Sequence, residues 1–336
     1  MFFQIILLRR LEMDKNTKSS LSFISSEPSP FVINPNSPPA EHRAVFTQFR
    51  DLALDAYLQR TPYAQEVIQL LKENGAEIVN DHVALRGFSD ISGGGVRMMM
   101  RRLLEAYGFK RGNEILISPL LLNCDWFEPP QDSNWPKIFV SEQQVNELPE
   151  DAQEIMLPII GNYYSNDPLE ELPLNQPAQV DPKALFTLLE TSPWVFSSVQ
   201  HDALLALGEK YPEYLPALQY AAWTLVHGHC WNHFTVLLNT LGLSEFKDLE
   251  ALNDYLREQK FPMNSFQGKE VQGSSEKHLK QSSTLANFIT HEFSDGVRKE
   301  LGGSFVEFIE RFFVDEEPFR GFLANNARGI FASTNR

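Results

Sequence analysis

The feature that most constrains the fold of this chain is an internal repeat between its two halves. Asp81-His82-Val83-Ala84 in the first half corresponds to Asn232-His233-Phe234-Thr235 in the second, and each segment is strand-like and precedes a helical pattern. A histidine occupies the same position in both segments. If the two halves are modules related by a pseudo-twofold axis, pairing of their first strands brings the two histidines towards one centre.

The periodicity of apolar residues predicts an α+β fold made of two βαβββ-like modules. The first module, about 78–144, is predicted to contain a strand, a helix and two extended stretches at 78–88, 96–107, 114–126 and 137–141. The second module, about 230–334, is predicted to contain a strand, a helix and extended segments at 232–239, 245–259, 264–272, 279–285, 288–293 and 304–313. Ser244 is the predicted N-cap of the second helix. Together the modules predict a curved mixed sheet with the two repeated histidines at its centre.

The residues between the modules, about 145–226, differ from them in composition, because Leu and Ala dominate and prolines recur along the segment. They predict a helical insertion, with helices near 182–190, 198–207 and 214–226. Two amphipathic helices are predicted within 41–74. Residues 41–334 are therefore expected to form a single catalytic domain.

Composition narrows the class of protein. Hydrophobic residues make up 43% of the 336 residues and aromatics 12%, which is typical of a globular chain. The formal net charge of -15 would repel a phosphate backbone, so we expect no nucleic-acid partner. Two cysteines, Cys124 and Cys230, are too few for a disulfide framework, which makes a reducing, cytoplasmic location the default expectation.

Residues 1–40 are predicted to be a disordered leader. The apolar run at 1–8 is far below the roughly 20 residues of a membrane span, and no membrane association is expected. Residues 14–40 are rich in Ser, Pro and Asn. A plastid or mitochondrial targeting role for this leader is the alternative to a cytoplasmic location, and Met13 is a second candidate start.

Strand periodicity gives a candidate metal site. Alternate side chains of a strand share one face, so His82 and Arg86 point the same way, and Glu307 and Arg311 do so on the last predicted strand. Two imidazoles and one carboxylate form the facial triad that suits non-haem Fe(II) and its activation of O₂. Arg86 could present its planar guanidinium to a substrate carboxylate.

Each of these residues also has a structural interpretation. Either histidine could be a hydrogen-bonded core residue, and Arg86 could close an internal salt bridge. Residues 303–313 also fit a helical stripe, which would place Glu307 on a surface. The run from His227 to His233 lacks the paired spacing of a structural zinc site. His227 or His229 could instead orient His233.

Several motifs, in order along residues 41–334, resemble the 2-oxoadipate dioxygenase/decarboxylase family, which is distantly similar to the vicinal-oxygen-chelate superfamily. The motifs are Asp81-His82-Val83-Ala84-Leu85-Arg86, His227-Gly228, Asn232-His233-Phe234-Thr235, Gln281-Ser282-Ser283-Thr284, Phe293-Ser294-Asp295-Gly296, Phe305-Val306-Glu307-Phe308 with Arg311, and Gly329-Ile330-Phe331-Ala332-Ser333-Thr334.

The resemblance implies that His82, His233 and Glu307 bind Fe(II) and that Arg86 binds the substrate carboxylate. It implies that 2-oxoadipate and O₂ give 2-hydroxyglutarate and CO₂ in lysine breakdown. The residues predicted to line the pocket or support the ligands are His227, Thr235, Ser283 and Arg311.

Two other functions compete with this one. A Zn²⁺ or Mn²⁺ lyase or isomerase could use the same modules without consuming oxygen. A non-catalytic binding protein could keep the histidines as core residues and use the helical insertion as an interaction surface. Oxygen uptake with a 2-oxo acid would distinguish the dioxygenase from the lyase or isomerase. Metal analysis would distinguish it from the binding protein.

Overall fold

The computed structural model describes residues 40–90, 94–131 and 133–334. The predicted leader at 1–40, and Met13 within it, lie outside these residues except for Ala40. The helices are α1 (Ala40–Arg60), α2 (Pro62–Glu73), α3 (Val96–Ala106), α4 (Glu150–Ile160), α5 (Pro182–Glu190), α6 (Ser198–Lys210), α7 (Leu215–His227), α8 (Leu249–Glu258) and α9 (Ala324–Phe331). Among the described residues, no helix is both long and apolar enough to cross a membrane.

The strands follow the two predicted modules. They are β1 (Asn80–Phe88), β2 (Lys110–Arg111), β3 (Ile115–Ile117), β4 (Leu122–Glu128), β5 (Lys137–Gln143), β6 (His233–Leu237), β7 (Gln272–Ser274), β8 (Leu279–Ser283), β9 (Phe288–Glu292), β10 (Arg298–Gly302), β11 (Phe305–Arg311), β12 (Phe313–Val314) and β13 (Glu317–Pro318). Nine of them form one mixed sheet in the order β2-β4-β5-β1-β6-β11-β8-β7, with β3 paired to β4. The other four form two separate hairpins, β9 with β10 and β12 with β13.

The centre of the sheet has the predicted pseudo-symmetry. The first strands of the two modules, β1 and β6, pair antiparallel, and Ala84 lies opposite His233. Each of them pairs in parallel with a late strand of its own module, β1 with β5 and β6 with β11. All nine residues of β1 are buried, which means that both faces of the sheet are covered at this strand. The predicted α+β class with a curved mixed sheet is confirmed.

Helices pack on both faces of this sheet and support the central strands. α1 packs against α5, and the Tyr57 hydroxyl of α1 donates a hydrogen bond to the carbonyl oxygen of Phe305 at the start of β11. The predicted N-terminal helices and the three helices of the insertion are all present. α4 was not predicted, and it contains Pro158, a residue that ordinarily argues against a helix interior.

Three local predictions were wrong or incomplete. The helix expected from 245 begins at Leu249, because the Asp248 carboxylate and not Ser244 caps it by accepting a hydrogen bond from the Ala251 amide at 2.8 Å. Only the end of the segment predicted at 264–272 is a strand, namely the start of β7. The stretch predicted at 114–126 is broken at Leu121, whose φ of 56° turns the chain between β3 and β4.

The helical alternative for residues 303–313 is wrong, since β11 is a buried strand of the central sheet. The division of residues 41–334 into modules and an insertion within a single catalytic domain stays a prediction.

Candidate metal centre

The centre of the sheet brings together His82 of β1, His233 of β6 and Glu307 of β11. Glu307 lies opposite Thr235 in the register of β11 with β6, and the Thr235 hydroxyl lies 3.3 Å from His82 Nε2. The site therefore spans three neighbouring strands, one of them from the first module and two from the second. This is the juxtaposition that the repeated histidines predicted.

The three side chains are close enough to share one ion. One candidate ligand atom from each residue lies within 4.8 Å of those of the other two. His82 Nε2 is 3.6 Å from Glu307 Oε1, and His233 Nε2 is 3.2 Å from Glu307 Oε2. None of the three residues is more than 3% exposed. Two nitrogens and one carboxylate oxygen form a donor set that suits a first-row transition metal and leaves further coordination positions free.

The polar atoms at this centre fit a bound cation better than an empty core. Within the described chain, His233 Nδ1 and Nε2 and Glu307 Oε2 are buried without a hydrogen-bond partner. Such groups are rare in folded proteins, because leaving them unsatisfied costs about 1–3 kcal/mol each. A cation between the two residues would satisfy both His233 Nε2 and Glu307 Oε2. The ordinary interpretation of His233 as a hydrogen-bonded core histidine is therefore not supported.

Burial also sets the protonation of these groups. It raises the pKa of Glu307 to about 8. It lowers the pKa of His82 and holds that of His233 well below its usual value, the latter helped by the neighbouring His82. Both imidazoles are therefore neutral, which is the form that binds a metal. A bound dication would reverse the effect on the carboxyl group and favour the carboxylate.

The Asp81 carboxylate orients His82. Asp81 Oδ2 accepts a hydrogen bond of 2.9 Å from Nδ1 of His82, which leaves Nε2 unprotonated and facing the site. Neighbouring residues of a regular strand point to opposite faces, but the pairing of β1 with β6 is irregular between Asn80 and Val83. This irregularity lets consecutive side chains contribute to one site.

Arg311 balances the charge of Asp81. Its Nε and Nη2 donate hydrogen bonds of 2.6 and 2.7 Å to the two carboxylate oxygens. Burial alone would raise the pKa of Asp81, but Arg311 and Lys137 hold it well below its usual value. Arg311 therefore contacts His82 only through Asp81, and its supporting role stays a prediction.

Replacing Asp81 with asparagine is expected to weaken metal binding by roughly 10–100-fold, the usual effect of losing a hydrogen-bond partner of a metal-binding histidine. The asparagine amide has one accepting oxygen and one NH₂ group that can only donate, so it cannot replace both carboxylate oxygens. His82 then loses its fixed tautomer and Arg311 loses its counter-ion. Titration calorimetry with Fe(II) or Co²⁺ measures the change. Asp125→Asn, which breaks another buried aspartate–arginine pair on β4, is the matched control and should leave metal affinity unchanged.

Arg86 lies four residues beyond His82 on the same strand and is 1% exposed. No carboxylate pairs with it in the described parts of the chain, so the salt-bridge interpretation is not supported there. Its guanidinium lies 4.1 Å from the ring centre of Trp223, 4.8 Å from that of Tyr220 and 5.0 Å from that of Phe331. Burial lowers its pKa to about 10. The structure thus holds a buried cation in an aromatic enclosure, and its Nε has no hydrogen-bond partner among the described residues.

The other residues predicted around the site occupy different positions. Ser283 lies opposite Glu307 in the β8–β11 pairing and hydrogen-bonds the Ser333 hydroxyl at 2.7 Å. His227 Nε2 donates to the carbonyl oxygen of Gly302 at 3.0 Å, and His229 Nε2 hydrogen-bonds the Tyr164 hydroxyl. Neither of these two histidines orients His233, so that prediction was wrong. The His227 ring instead stacks on Trp223, and Trp223 in turn contacts the Arg86 guanidinium.

The sequence did not single out several residues that complete the site. Gln281 Nε2 donates a 2.7 Å hydrogen bond to Glu307 Oε1. The Phe322 ring packs edge-on against the His82 ring, with their centres 4.8 Å apart. Thr334 Oγ1 accepts long hydrogen bonds from Arg86. Gln281 and Thr334 lie in motifs that resemble the family, but no periodicity connects them with the ligands.

Comparison with known proteins identifies the family of this chain. The model of the 2-oxoadipate dioxygenase/decarboxylase family matches residues 53–317, which is most of the chain. The chain belongs to this family. A 2-oxoadipate dioxygenase/decarboxylase from Arabidopsis thaliana, named as chloroplastic, is 29% identical over 301 residues, covering 83% of this chain and 74% of the relative.

Solved structures support the fold. The hydroxyglutarate synthase of Oryza sativa, solved with 2-oxoadipate, is similar with a TM-score of 0.73 and 24% identity, covering 92% of this chain and 97% of that one. A glyoxalase superfamily protein from Ralstonia eutropha has a TM-score of 0.67 and 19% identity, covering 90% and 93% of the two chains. The predicted family, enzyme class and vicinal-oxygen-chelate-like architecture are confirmed. The roles of the individual site residues stay predictions.

Proposed function

We propose that this chain is an Fe(II)-dependent dioxygenase/decarboxylase that converts 2-oxoadipate, or a similar 2-oxo dicarboxylic acid, to 2-hydroxyglutarate and CO₂. The main support for this proposal is that a candidate metal ligand, His82, and a buried cation, Arg86, lie on one face of β1. His82 belongs to the buried cluster with His233 and Glu307, and Arg86, four residues further, is a buried cation without a carboxylate partner in the described chain. The names of the relatives support this substrate.

The stoichiometry defines what the site must accomplish. The carboxylate next to the keto group leaves as CO₂, the keto carbon becomes the new carboxylate carbon, and the adjacent methylene carbon gains a hydroxyl. Both atoms of one O₂ molecule therefore enter 2-hydroxyglutarate, and no other oxidant is needed. Fe(II), when bound, would supply the redox chemistry with O₂ that no side chain here can supply.

Arg86 would bind the far carboxylate of the substrate. The Cα atoms of residues four apart on a strand are about 13 Å apart, and the long arginine side chain can shorten that span. Its aromatic surroundings, Tyr220, Trp223 and Phe331, exclude water, which strengthens an ion pair with an incoming carboxylate. An acid with carboxylates at both ends would thus be fixed at both ends.

The remaining residues would hold the substrate-facing groups in place. Asp81 fixes the tautomer of His82, and Arg311 neutralises Asp81. Phe322 covers the His82 ring and keeps solvent away from it. Positioning of this kind lets an otherwise bimolecular reaction proceed between groups already aligned.

An oxygen-electrode assay with purified, Fe(II)-loaded protein tests the proposal. We expect O₂ uptake with 2-oxoadipate, matched by an equal amount of CO₂. Uptake should be weak with 2-oxohexanoate, which has the same chain length but lacks the far carboxylate. Metal-loaded protein that consumes no O₂ with any 2-oxo acid would favour the lyase or isomerase, and stable protein purified without any metal would favour the binding protein.

The cellular location stays a prediction. The chloroplastic name of the Arabidopsis relative supports the plastid alternative over the cytoplasmic default.

A further inference from the structure

Gln281 forms a hydrogen-bonded chain that reaches Glu307 from the C-terminal helix. Its Nε2 donates to Glu307 Oε1 at 2.7 Å, and its Oε1 accepts a 3.1 Å hydrogen bond from Asn326 Nδ2 of α9. All three residues are at most 3% exposed. Since both ends of the Gln281 amide are committed, its orientation is defined, with the NH₂ group towards the carboxylate.

The two oxygens of Glu307 consequently differ. Oε1 already accepts a hydrogen bond, whereas Oε2 is buried without a hydrogen-bond partner in the described chain and lies 3.2 Å from His233 Nε2. A carboxylate that is free to rotate can bind a metal through one oxygen or through both. A hydrogen bond to one oxygen disfavours the two-oxygen mode, because that oxygen would have to share its lone pairs and turn.

We propose that Gln281 is a positioning residue that makes Glu307 bind the metal through Oε2 alone, and that Asn326 fixes the orientation of the Gln281 amide. This inference rests on the proposed function, since it requires a metal at the His82, His233 and Glu307 cluster. Binding through one oxygen leaves one more coordination position for the substrate than binding through two. Gln281 would thus preserve room at the metal for a 2-oxo acid.

Co²⁺-substituted protein tests this role without reference to turnover. The visible absorption bands of Co²⁺ report its coordination number and geometry, and they weaken as ligands are added. In Gln281→Leu, which keeps the approximate size but removes the donor, we expect weaker, shifted bands and roughly 10–100-fold lower Co²⁺ affinity. The variant should also bind 2-oxoadipate more weakly, seen as a smaller spectral response to the added acid.

A second variant acts at Asn326, the other end of the hydrogen-bonded chain. Asn326→Asp cannot donate to Gln281 Oε1, so the amide is free to turn its carbonyl towards Glu307, and we expect a spectral change in the same direction. Gln143→Leu is the matched control, because Gln143 is a buried glutamine whose Nε2 donates to two backbone carbonyls of another region. Thermal unfolding of each variant verifies that it is folded.

The outcomes are distinct. If wild-type protein binds Co²⁺ and both variants keep its spectrum, the positioning role is overturned even if their affinity falls, because a general loss of packing would explain the affinity alone. If the wild-type protein itself binds no Co²⁺ or Fe(II), the proposed function fails first. A changed spectrum in both variants and an unchanged one in Gln143→Leu supports the inference.

Discussion

Replacing His233 with alanine is expected to abolish stoichiometric metal binding and turnover while leaving the chain folded. The imidazole has no hydrogen-bond partner within the described residues, so its removal breaks no native hydrogen bond. The lost packing against Phe305, whose ring centre lies 5.0 Å away, costs roughly 2 kcal/mol. Removing an unpaired polar ring from a buried site offsets part of this cost.

The loss of function should exceed the roughly 100-fold that removal of an outer hydrogen-bond partner can cost, because a direct ligand is removed. Metal content after purification and titration with Fe(II) measure the first effect, and O₂ uptake measures the second. His291→Ala is the control, since His291 lies on the peripheral hairpin β9–β10 and packs against Phe293. A His233→Ala protein that binds one equivalent of metal with native affinity would exclude His233 as a ligand.

Arg86→Met is expected to lower kcat/KM for 2-oxoadipate by roughly 10²–10³-fold while the metal content is unchanged. A buried charge pair that loses one partner typically costs 2–5 kcal/mol, and the substrate carboxylate would be left without its cation. Methionine fills a similar volume between Tyr220, Trp223 and Phe331, so the aromatic enclosure should persist. The discrimination between 2-oxoadipate and 2-oxohexanoate should largely disappear.

The same substitution is expected to raise the stability of the ligand-free protein while it lowers activity. The ligand-free protein should become more resistant to heat or urea, because a buried cation without a counter-ion is costly and methionine is not. Arg102→Met, at an exposed residue that pairs with Asp167, serves as the control for both measurements. Unchanged discrimination between the two acids would show that Arg86 does not bind the far carboxylate.

The part of the fold that the sequence predicted rests on short-range periodicity. Alternation along 78–88 and 304–313 places His82, Arg86 and Glu307 on defined faces, and the repeat places two histidines on paired first strands. Segment ends were less well predicted, as at Ser244, because a helix begins where a side chain best caps it and Asp248 was available four residues later. α4 was not predicted, although its buried residues Ala152, Met156 and Ile160 recur at helical spacing; Pro158 lies within it and ordinarily argues against a helix interior.

The sequence by itself determined the three candidate ligands and Arg86, since strand alternation and the repeat fix which side chains share a face. Only the tertiary structure decided what surrounds them. Asp81 reaches His82 through an irregularity in strand pairing, Gln281 reaches Glu307 from β8, and the enclosure of Arg86 comes from α7 and α9. Arg86 and Phe331 lie 245 positions apart, since 331 − 86 = 245. No local pattern encodes such a contact, because it depends on how the helices pack against the sheet.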